Sequence, residues 1–379
     1  MTLEIAPASG RADIAAFVDL LWEVYRTDPC WVPPLRGEAR DLVSGPGRNP
    51  YYGHADVQPF LARRNGRVIG RIAAHVDRLV LERRPGLGLW GLFEVANDDK
   101  DVGAALIATA EDWLRGRGMT RAQGPMSLSV WDEPGLLVEG FATAPTVMMG
   151  HHRPSYAAMV ERAGYSGVKD LHCWELDIAR PFPELVQRIV AAGEKNRRVR
   201  VREADERNFD GEAKLVLSIL NEAWSDNWGF VPLTEAEIAH ASKKLRQIMF
   251  ADLIRIAEID GEPVAFMFTL PDINELTRDL DGRLFPFGWA KLLWRLRRPR
   301  VSRMRVPLMG VRKHLQGTRM ASLLAFMMIE YTRRASVASY GATRGEIGWI
   351  LEDNGPMRSI AMAIDAHVTR TYRIYEKDI

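Results

Sequence analysis

The sequence predicts a mixed α/β protein that contains two copies of one domain, and two observations carry this prediction. Residues 220–233 read LNEAWSDNWGFVPL, and residues 21–35 read LWEVYRTDPCWVPPL, a weaker version of the same motif at the end of an apolar helical stretch. The segments around each motif also follow the same order of strands and helices. A repeated motif within a repeated element order indicates duplication, and this interleaving of strands and helices is typical of mixed α/β folds.

The first copy begins with a strand at 3–7 and a helix at 9–25. Two strands follow, at 60–65 and 67–76, and the Asn65-Gly66 pair between them is the strongest short signal for a β-hairpin. The rest of the copy is a strand at 87–96, a helix at 102–115, a strand at 123–128 and a helix at 154–163.

The second copy repeats this order. A strand at 199–205 and a helix at 212–224 precede a helix at 233–249, which Thr234 and Glu237 begin as a capping box. A hairpin around Asp260-Gly261 joins strands 253–259 and 263–270. The later elements are a strand at 305–311, a helix at 318–334, a strand at 346–352, a helix at 355–365 and a strand at 368–377. We therefore expect domains at 1–178 and 199–379, a connecting segment at 179–198, and an insertion at about 282–304.

Composition narrows the class of protein. The chain has 379 residues, of which 47% are hydrophobic and 26% charged, as in ordinary globular proteins. A net charge of +2 gives no overall attraction to nucleic acid, and two cysteines indicate a reducing compartment. No secretory signal and no apolar stretch of about 20 residues is visible, so we expect a cytoplasmic protein. His151 and His152 are adjacent and do not share a helix face, so no metal site is expected.

This element order resembles the GNAT acyltransferase fold, which implies two tandem GNAT-type domains with mixed, mostly antiparallel central sheets flanked by helices. In that family a splayed strand, a glycine-containing loop and the next helix N-terminus hold the pyrophosphate of coenzyme A, because free N–H groups and the helix dipole favour an anion. The family's loop pattern is Gln/Arg-x-x-Gly-x-Gly/Ala. The first copy has Lys100, Gly103 and Ala105 in these positions, but the surrounding aspartates oppose a bound pyrophosphate.

The second copy is the better match for coenzyme A. His314, Gly317 and Arg319 occupy the pattern positions in a basic loop without acids. The resemblance also implies a contact from Asn354, although the same residue is equally suited to cap the helix that follows. Backbone N–H groups from Met309 to Val311 are candidates to hold the oxyanion of an acyl-transfer reaction.

Amide formation needs a group that removes a proton from the amine and one that protonates the leaving thiolate. Alternation along the strand places Glu346 on the same face as Gly348, as a candidate base, with a solvated edge carboxylate as the alternative. Glu94 is the corresponding candidate in the first copy. No tyrosine stands at the family's expected position in the last helix of either copy, which leaves Tyr372 and Tyr375 as candidate acids.

Polar residues at strand and helix ends are candidates to bind the acceptor, although turn capping also explains several of them. They are Asn221, Trp224, Asn227, Asp272 and Asn274.

The insertion is basic and aromatic. From 282 to 329 there are eleven Lys or Arg and no acid. Within it, Trp289, Leu292, Leu293 and Leu296 recur at helical spacing. Further tryptophan and basic side chains surround them: Trp294, Lys291, Arg295, Arg297 and Arg298. This pattern is typical of a helix that lies on an anionic membrane surface; the alternative is a helix that packs on its own domain and exposes a basic face.

The phrases WVPP, FE-x-x-ND, NWGFVP, LPDIN and WILEDN resemble a family of bacterial tandem-GNAT proteins over nearly the whole chain. Members of that family are linked to sphingolipid synthesis as bacterial ceramide synthases. The resemblance implies transfer of a long acyl chain from acyl-CoA to a lipid amine, namely a sphingoid base, by an enzyme peripheral to the inner face of the membrane. Two alternatives are an acetyltransferase of a small polar amine or peptide, and a membrane-binding protein without catalysis.

Overall fold

The computed structural model describes residues 2–246 and 249–379, and the chain forms two compact units. Unit 1 comprises Met1–Asp170, Thr277–Gly288 and Arg370–Ile379, and unit 2 comprises Leu171–Leu276 and Trp289–Thr369. Each unit therefore takes a short segment from the other half of the sequence. The predicted connecting segment, 179–198, contains one helix. The predicted domain limits, 1–178 and 199–379, describe the two repeated halves of the sequence and stay a prediction.

The elements of the first half occur in the predicted order. They are β1 (Leu3–Pro7), α1 (Gly10–Val24), α2 (Arg36–Val43), β2 (Ala55–Arg64), β3 (Arg67–Asp77), α3 (Arg78–Arg83), β4 (Leu87–Val95), α4 (Lys100–Arg115), β5 (Arg121–Gly124), β6 (Met126–Ser127), β7 (Glu133–Pro134), β8 (Leu136–Glu139), α5 (Tyr156–Arg162) and β9 (Ser166–Asp177).

The sheet of unit 1 follows the order β1-β2-β3-β4-β5, and its last strand comes from the end of the chain. Asn65 and Gly66 adopt φ values of 53° and 78°, as the tight turn between β2 and β3 requires. Among the pairs β1–β2, β2–β3, β3–β4, β4–β5, β5–β15 and β8–β15, where β15 is the strand His367–Asp378 at the end of the chain, only β4–β5 is parallel. Helix α4 buries Val102, Leu106 and other apolar side chains against this sheet.

The second half continues with α6 (Glu184–Glu194), β10 (Val199–Glu203), α7 (Phe209–Trp224), α8 (Glu235–Leu245), β11 (Ile254–Ile259), β12 (Glu262–Pro271), α9 (Ile273–Thr277), α10 (Gly288–Arg297), β13 (Arg303–Val311), α11 (Arg319–Ala335), β14 (Arg344–Leu351), α12 (Gly355–Ala363) and β15 (His367–Asp378). The predicted helix at 233–249 runs into residues 247 and 248, which lie outside the described residues. Its capping box is present, since the Glu237 N–H donates to Thr234 Oγ1 at 3.3 Å and the Thr234 N–H to Glu237 Oε2 at 2.8 Å.

The sheet of unit 2 follows the order β10-β11-β12-β13-β14, and β9 pairs with β14 at its edge. Asp260 and Gly261 form the predicted turn with φ values of 53° and 84°. The pair β13–β14 is parallel, and its neighbours in the unit are antiparallel. The prediction of a mixed, mostly antiparallel α/β fold in two copies is thus confirmed.

One detail of β14 differs from the prediction. Simple alternation puts Glu346, Gly348 and Ile350 on one face and Ile347 on the other. The pairing with β9 instead shifts register between Ile347 and Ile350, and both isoleucines are buried in the core of unit 2. An irregular residue in a strand reverses the faces of all later side chains, so the predicted alternation is wrong beyond Ile347.

None of the helices within 2–246 and 249–379 has both the length and the hydropathy that crossing a membrane requires.

Candidate functional site

Strands β13 and β14 of unit 2 diverge after a short paired stretch. Four residue pairs join them, from Arg303 with Arg344 to Val306 with Ile347. Beyond these pairs, residues 308–311 remain paired with β12 alone among the pairings described for β13. The sequence-predicted residues Met309 and Val311 lie in this diverging part, so they border the opening between the two strands.

A glycine loop and a helix N-terminus stand directly after the diverging strand. Gly317 has a φ of 73° and no atom within 4 Å of the position its Cβ would take, so the loop is open there. Thr318 caps α11, and its Oγ1 accepts the Ala321 N–H at 3.2 Å. The capping group is neutral, which leaves the positive end of a 17-residue helix available to an anion.

The charges of this loop divide into paired and exposed cations. Arg312 donates to Glu222 at 2.6 Å and Lys313 to Asp226 at 2.7 Å. These bonds fix the loop against α7, and the Lys313 backbone N–H and the Arg312 guanidinium lower the pKa of the Glu222 carboxyl. Arg319 and His314 are exposed beside Gly317. Within the described chain Arg319 forms no ion pair, so its charge is available to a ligand.

Three of the predicted acceptor residues lie on or directly after α7, next to the opening. Trp224 Nε1 donates to the Met309 carbonyl at 3.0 Å, and its ring lies 6.2 Å from that of Trp349 on β14. Asn221 Oδ1 is buried and has no hydrogen-bond partner among the described residues. Asn227 lies in the turn after α7, where its N–H donates to the Trp224 carbonyl. Two aromatic side chains, one from α7 and one from β14, thus lie close together beside Met309.

The other two predicted acceptor residues lie elsewhere. Asp272 is fully buried and accepts from Arg303 at 2.7 Å, at the start of β13. The Asn274 N–H donates to Asp272 Oδ1 at 3.2 Å, which is turn capping. At about 3.3 Å per residue, Arg303 and Met309 are roughly 20 Å apart along the strand. The five residues therefore do not form one cluster.

An apolar cavity begins at the base of the opening. The space inside it that a water molecule can occupy is about 40 Å³, and it lies between the sheet and α11. Val306 and Ile347, the last paired residues of β13 and β14, belong to its lining, as does Met309. Glu346 also lines it; this carboxylate is 1% exposed and lies 3.4 Å from Arg305 Nη1. Glu346 is thus a buried, ion-paired group, and the alternative of a solvated edge carboxylate is wrong.

In unit 1 the corresponding opening is filled by the protein's own chain. Strands β4 and β5 pair only from Leu87 to Leu89, and β6 then runs against β4. A Cβ on Gly91 would lie 1.9 Å from the Met126 carbonyl oxygen, and the Leu92 N–H donates to Ser127 Oγ at 3.2 Å. No space comparable to that between β13 and β14 remains for a ligand chain along this part of β4.

The loop after β4 is likewise satisfied internally. Asp99 caps α4 and accepts the N–H groups of Asp101 and Val102 at 3.2 and 3.3 Å. Asp98 accepts from Arg153 at 2.7 Å and from Ser155 at 2.6 Å, and the bond from Arg153 lowers its pKa. Carboxylates of the chain itself thus occupy the positions that an anion would take.

Glu94 on β4 lies in a buried network that the sequence did not reveal. The hydroxyls of Tyr25 and Tyr156 lie 2.8 and 2.9 Å from its Oε2, and Arg71 Nη2 lies 3.8 Å from its Oε1. Burial raises the pKa of Glu94 to about 7, although Arg71 and both tyrosines oppose this. A carboxyl with a pKa near neutrality can give or take a proton at physiological pH.

Tyr156 is the tyrosine that sequence reasoning missed. It is the first residue of α5, and so stands at the start of the predicted helix and not in its interior. Its hydroxyl also accepts the Val95 N–H at 2.9 Å. Tyr25 belongs to the repeated motif, where its counterpart is Trp224. An aromatic residue thus recurs at the end of α1 and of α7, the helices that face the fourth strand of each copy. This repeat was the signal in the sequence that could have identified Tyr25.

Tyr375 and Asn354 have structural partners. The Tyr375 hydroxyl donates to Glu161 at 3.1 Å, and burial together with Glu161 raises the pKa of Tyr375 to about 12. Tyr375 packs in the core of unit 1, whereas Glu346 belongs to unit 2. Tyr372 is also buried in unit 1, and its hydroxyl donates to the Gly150 carbonyl oxygen. Asn354 caps α12, and its Oδ1 accepts the Met357 N–H at 3.2 Å.

The insertion forms the predicted helix, α10, but its faces differ from the prediction. Leu292 and Leu296 pack on the core of unit 2, whereas Trp289, Leu293 and Trp294 are 51%, 55% and 74% exposed. Phe285 and Phe287, just before the helix, are also exposed.

The basic residues of the insertion also divide. Arg295 donates to the Leu276 carbonyl at 2.5 Å and is half-buried, so part of its guanidinium is engaged within the protein. Lys291, Arg297 and Arg298 are exposed. Among the residues that the structure describes, no group of three or more His, Cys, Asp or Glu is arranged to hold a metal ion.

Two curated proteins are similar to the chain over nearly its full length. The bacterial ceramide synthase of Caulobacter vibrioides is 43% identical over 378 residues, covering 99% of this chain and 97% of that protein. Protein YghO of Escherichia coli K12 is 40% identical over 375 residues, covering 97% of this chain and 94% of that protein. No family model matches the chain.

Solved structures share the fold. A tandem GNAT protein from the clavulanic acid biosynthesis pathway superimposes with a TM-score of 0.58 at 14% identity, covering 100% of this chain and 98% of that one. A GCN5-related N-acetyltransferase from Sphaerobacter thermophilus gives a TM-score of 0.52 at 15% identity, covering 99% and 95%. At such identities the likeness concerns the fold alone.

Proposed function

The chain belongs to the family of the bacterial ceramide synthase and is a tandem GNAT N-acyltransferase, and we propose that it transfers a long acyl chain from coenzyme A to a lipid amine of the sphingoid class. Unit 2 binds the acyl-CoA. The observation that carries this assignment is the contrast between the two units. In unit 2 the strands β13 and β14 diverge beside a glycine loop and leave an opening, whereas in unit 1 the opening beside β4 is filled by β6.

The residues of unit 2 suit each part of the donor. The α11 N-terminus, the open Gly317 loop and the exposed charges of His314 and Arg319 suit the pyrophosphate, because backbone N–H groups and cations both favour an anion. The diverging strand at Met309 suits the pantetheine arm, and the apolar lining at the base of the opening suits the first carbons of the acyl chain. Asn354, at the start of α12, is a further candidate contact for coenzyme A.

Donor binding is tested by calorimetry with hexadecanoyl-CoA and acetyl-CoA. Gly317→Glu puts a negative charge at the loop, and we expect at least tenfold weaker binding. Gly261→Glu is the matched control, because Gly261 also has a positive φ and nothing within 4 Å of its Cβ position. Gly317→Lys adds a cation with the same backbone strain and is expected to bind far better than Gly317→Glu. Equal loss in all three variants would refute the pyrophosphate site, and preference for acetyl-CoA would favour a small-group acetyltransferase.

Glu346 is proposed as the base that accepts the amine proton. It is the carboxylate in the lining of the cavity, and Arg305, whose Nη1 lies 3.4 Å from its Oε1, fixes its orientation. We expect Glu346→Gln to lower kcat for N-acylation of sphinganine by about 10²- to 10⁴-fold. Glu111→Gln is the control, since Glu111 is also buried and ion-paired, with Lys377 at 2.8 Å. A large loss in Glu94→Gln, with Glu346→Gln active, would move the chemistry to unit 1.

The exposed aromatic and basic side chains of α10 support binding to an anionic membrane surface, where a long-chain amine resides. Trp289 and Trp294 are suited to the interfacial region, and each exposed cation near an anionic leaflet contributes about 1 kcal/mol. We propose that α10 is the docking element and that the enzyme is peripheral to the inner face of the membrane.

Vesicle co-sedimentation tests this element. Lys291→Glu, Arg297→Glu and Arg298→Glu together are expected to release the protein from phosphatidylglycerol vesicles; Arg295 stays, because it bonds the Leu276 carbonyl. The same change at Lys195, Arg197 and Arg200, three exposed cations of unit 2, is the charge-matched control. Release by the control set alone, or by neither, would contradict the assignment to α10.

A further inference from the structure

Two residues of β13 direct their backbone groups into the opening between β13 and β14. Val311 pairs with Ala265 of β12. The next N–H along β13, that of Arg312, donates to the Val264 carbonyl at 2.9 Å. In an antiparallel pair the backbone groups of successive residues point alternately to the partner strand and away from it. The N–H and C=O groups of Met309 and Val311 therefore point away from β12, toward the opening.

Side chains of the protein itself bond both of these carbonyl groups. Trp224 Nε1 donates to the Met309 carbonyl oxygen at 3.0 Å. Gln316 Nε2 donates to the Val311 carbonyl oxygen at 3.2 Å and to the Ala223 carbonyl oxygen at 3.1 Å. The edge of β13 thus has its two carbonyl oxygens capped, and the N–H groups of the same two residues are what it presents to a ligand.

The caps also oppose closure of the opening. An unpaired strand edge is a template for pairing with a neighbouring strand. Pro307 follows the last residue of β13 that pairs with β14, and it has no N–H to donate. Beyond it, the carbonyl oxygens of Met309 and Val311 already have a donor, so β14 gains less by pairing with them. Proline and the two caps thus keep the strands apart.

Helix α7 holds the Trp224 cap in a fixed position. Gly310 faces this helix, and a Cβ on it would lie 3.2 Å from Ala223 Cβ, so the helix and the strand approach closely. Arg312 and Glu222 form an ion pair at 2.6 Å, which fixes the last turn of α7 to the loop after β13. Trp224 is the last residue of α7, and its indole N–H reaches the strand from this braced turn.

We propose that Trp224 is a positioning residue for the acyl donor: its bond to the Met309 carbonyl oxygen lets the edge meet the thioester oxygen with N–H groups and not with a free carbonyl oxygen. This inference rests on the donor site proposed for unit 2. Negative charge develops on the thioester oxygen when the amine attacks, and preorganised donors stabilise it. An uncapped carbonyl oxygen of Met309 would place partial negative charge beside that oxygen and oppose this effect.

The spacing of the two N–H groups suits one donor molecule. Met309 and Val311 are two residues apart, or about 7 Å along the strand. In an acyl-CoA the thioester carbonyl and the nearest amide carbonyl are separated by five bonds, or about 6 Å when extended. Both carbonyl oxygens of the donor can therefore accept from the capped edge.

Binding in the absence of amine tests the role of Trp224 separately from the reaction. Calorimetry compares hexadecanoyl-CoA with hexadecyl-CoA, the thioether that lacks the carbonyl oxygen, and we expect the wild type to bind the thioester about three- to tenfold more tightly. Trp224→Phe keeps an aromatic ring and removes the N–H, so this ratio should fall to within about twofold. In the reaction, kcat should fall about tenfold while KM for the donor changes less than about threefold.

Two further proteins control for the change of shape. Replacement of Trp224 by 3-benzothienylalanine keeps the two-ring shape and puts sulfur in place of the N–H, so it should reproduce Trp224→Phe. Trp174→Phe is the matched control, because Trp174 is buried in the core of unit 2 and its Nε1 has no hydrogen-bond partner among the described residues. Its donor ratio and its kcat should stay those of the wild type.

NMR of the indole N–H groups follows the cap itself. The Trp224 signal is the one that Trp224→Phe lacks, and we expect it to exchange slowly with water before and after hexadecanoyl-CoA is added. Faster exchange in the complex would make Trp224 a gate that the donor displaces, and would overturn the positioning role. An unchanged thioester-to-thioether ratio in Trp224→Phe would also overturn it, with the donor site intact. Absence of binding by either ligand would reject the donor site, and with it this inference.

Discussion

Glu94 allows the most quantitative prediction, because its pKa in the folded protein differs strongly from that in the unfolded chain. Burial raises this pKa from 4.5 to about 7. Between these two values the folded protein keeps a proton that the unfolded chain has released. The unfolding free energy contributed by Glu94 therefore decreases as pH rises from about 4.5 to about 7, and is constant outside that window.

The size of the effect follows from the same two values. Each pH unit in the window costs about 1.4 kcal/mol, so the carboxyl lowers stability by about 3 kcal/mol between its two limits. Glu94→Gln removes this contribution while keeping an oxygen that accepts from Tyr25 and Tyr156. The two tyrosine hydroxyls favour the ionised form, so Tyr156→Phe should move the upper limit of the window to higher pH, while the lower limit at about 4.5 stays.

Urea unfolding at fixed ionic strength, from pH 4 to 8, measures this contribution as the difference between wild type and Glu94→Gln. We expect the wild type to lose about 3 kcal/mol more than the variant over the range. Parallel profiles would refute the reasoning, since they would mean that folding does not shift the pKa of Glu94. A wild type that gains stability relative to the variant would contradict its sign.

Two further predictions concern local structure. Gly91→Ala places a Cβ 1.9 Å from the Met126 carbonyl oxygen. We expect the free energy of unfolding, measured in urea, to fall by several kcal/mol. An unchanged free energy would mean that β6 can move away from β4. Asn354→Ala removes the cap of α12, for which we expect about 1 kcal/mol lower stability; a fall in coenzyme A binding at unchanged stability would instead assign Asn354 to the ligand.

The fold was predictable where short signals are strong. The Asn65-Gly66 and Asp260-Gly261 turns, the Thr234 capping box and the repeated motif after α1 and α7 act through neighbours in sequence, so a single chain reveals them. The exchange of end strands between the units depends on pairing across most of the chain, for which no local pattern exists.

The site was less accessible to sequence reasoning. The unit 1 opening is filled because β6 approaches Gly91 closely. A glycine in the sequence does not show which other segment of the chain packs against it. The irregular register of β14 reverses a face that alternation assigns, and Arg295 bonds a backbone carbonyl 19 residues away. Tyr156 meets Glu94 only because two distant segments fold together.

The central claim is that unit 2 binds acyl-CoA and unit 1 does not. Hydrogen exchange with and without hexadecanoyl-CoA tests it directly, because the backbone of each loop is followed separately. We predict slower exchange in peptides that cover 309–321, and no change in peptides that cover 95–103. Slower exchange at 95–103 without change at 309–321 would contradict it and assign the donor to unit 1.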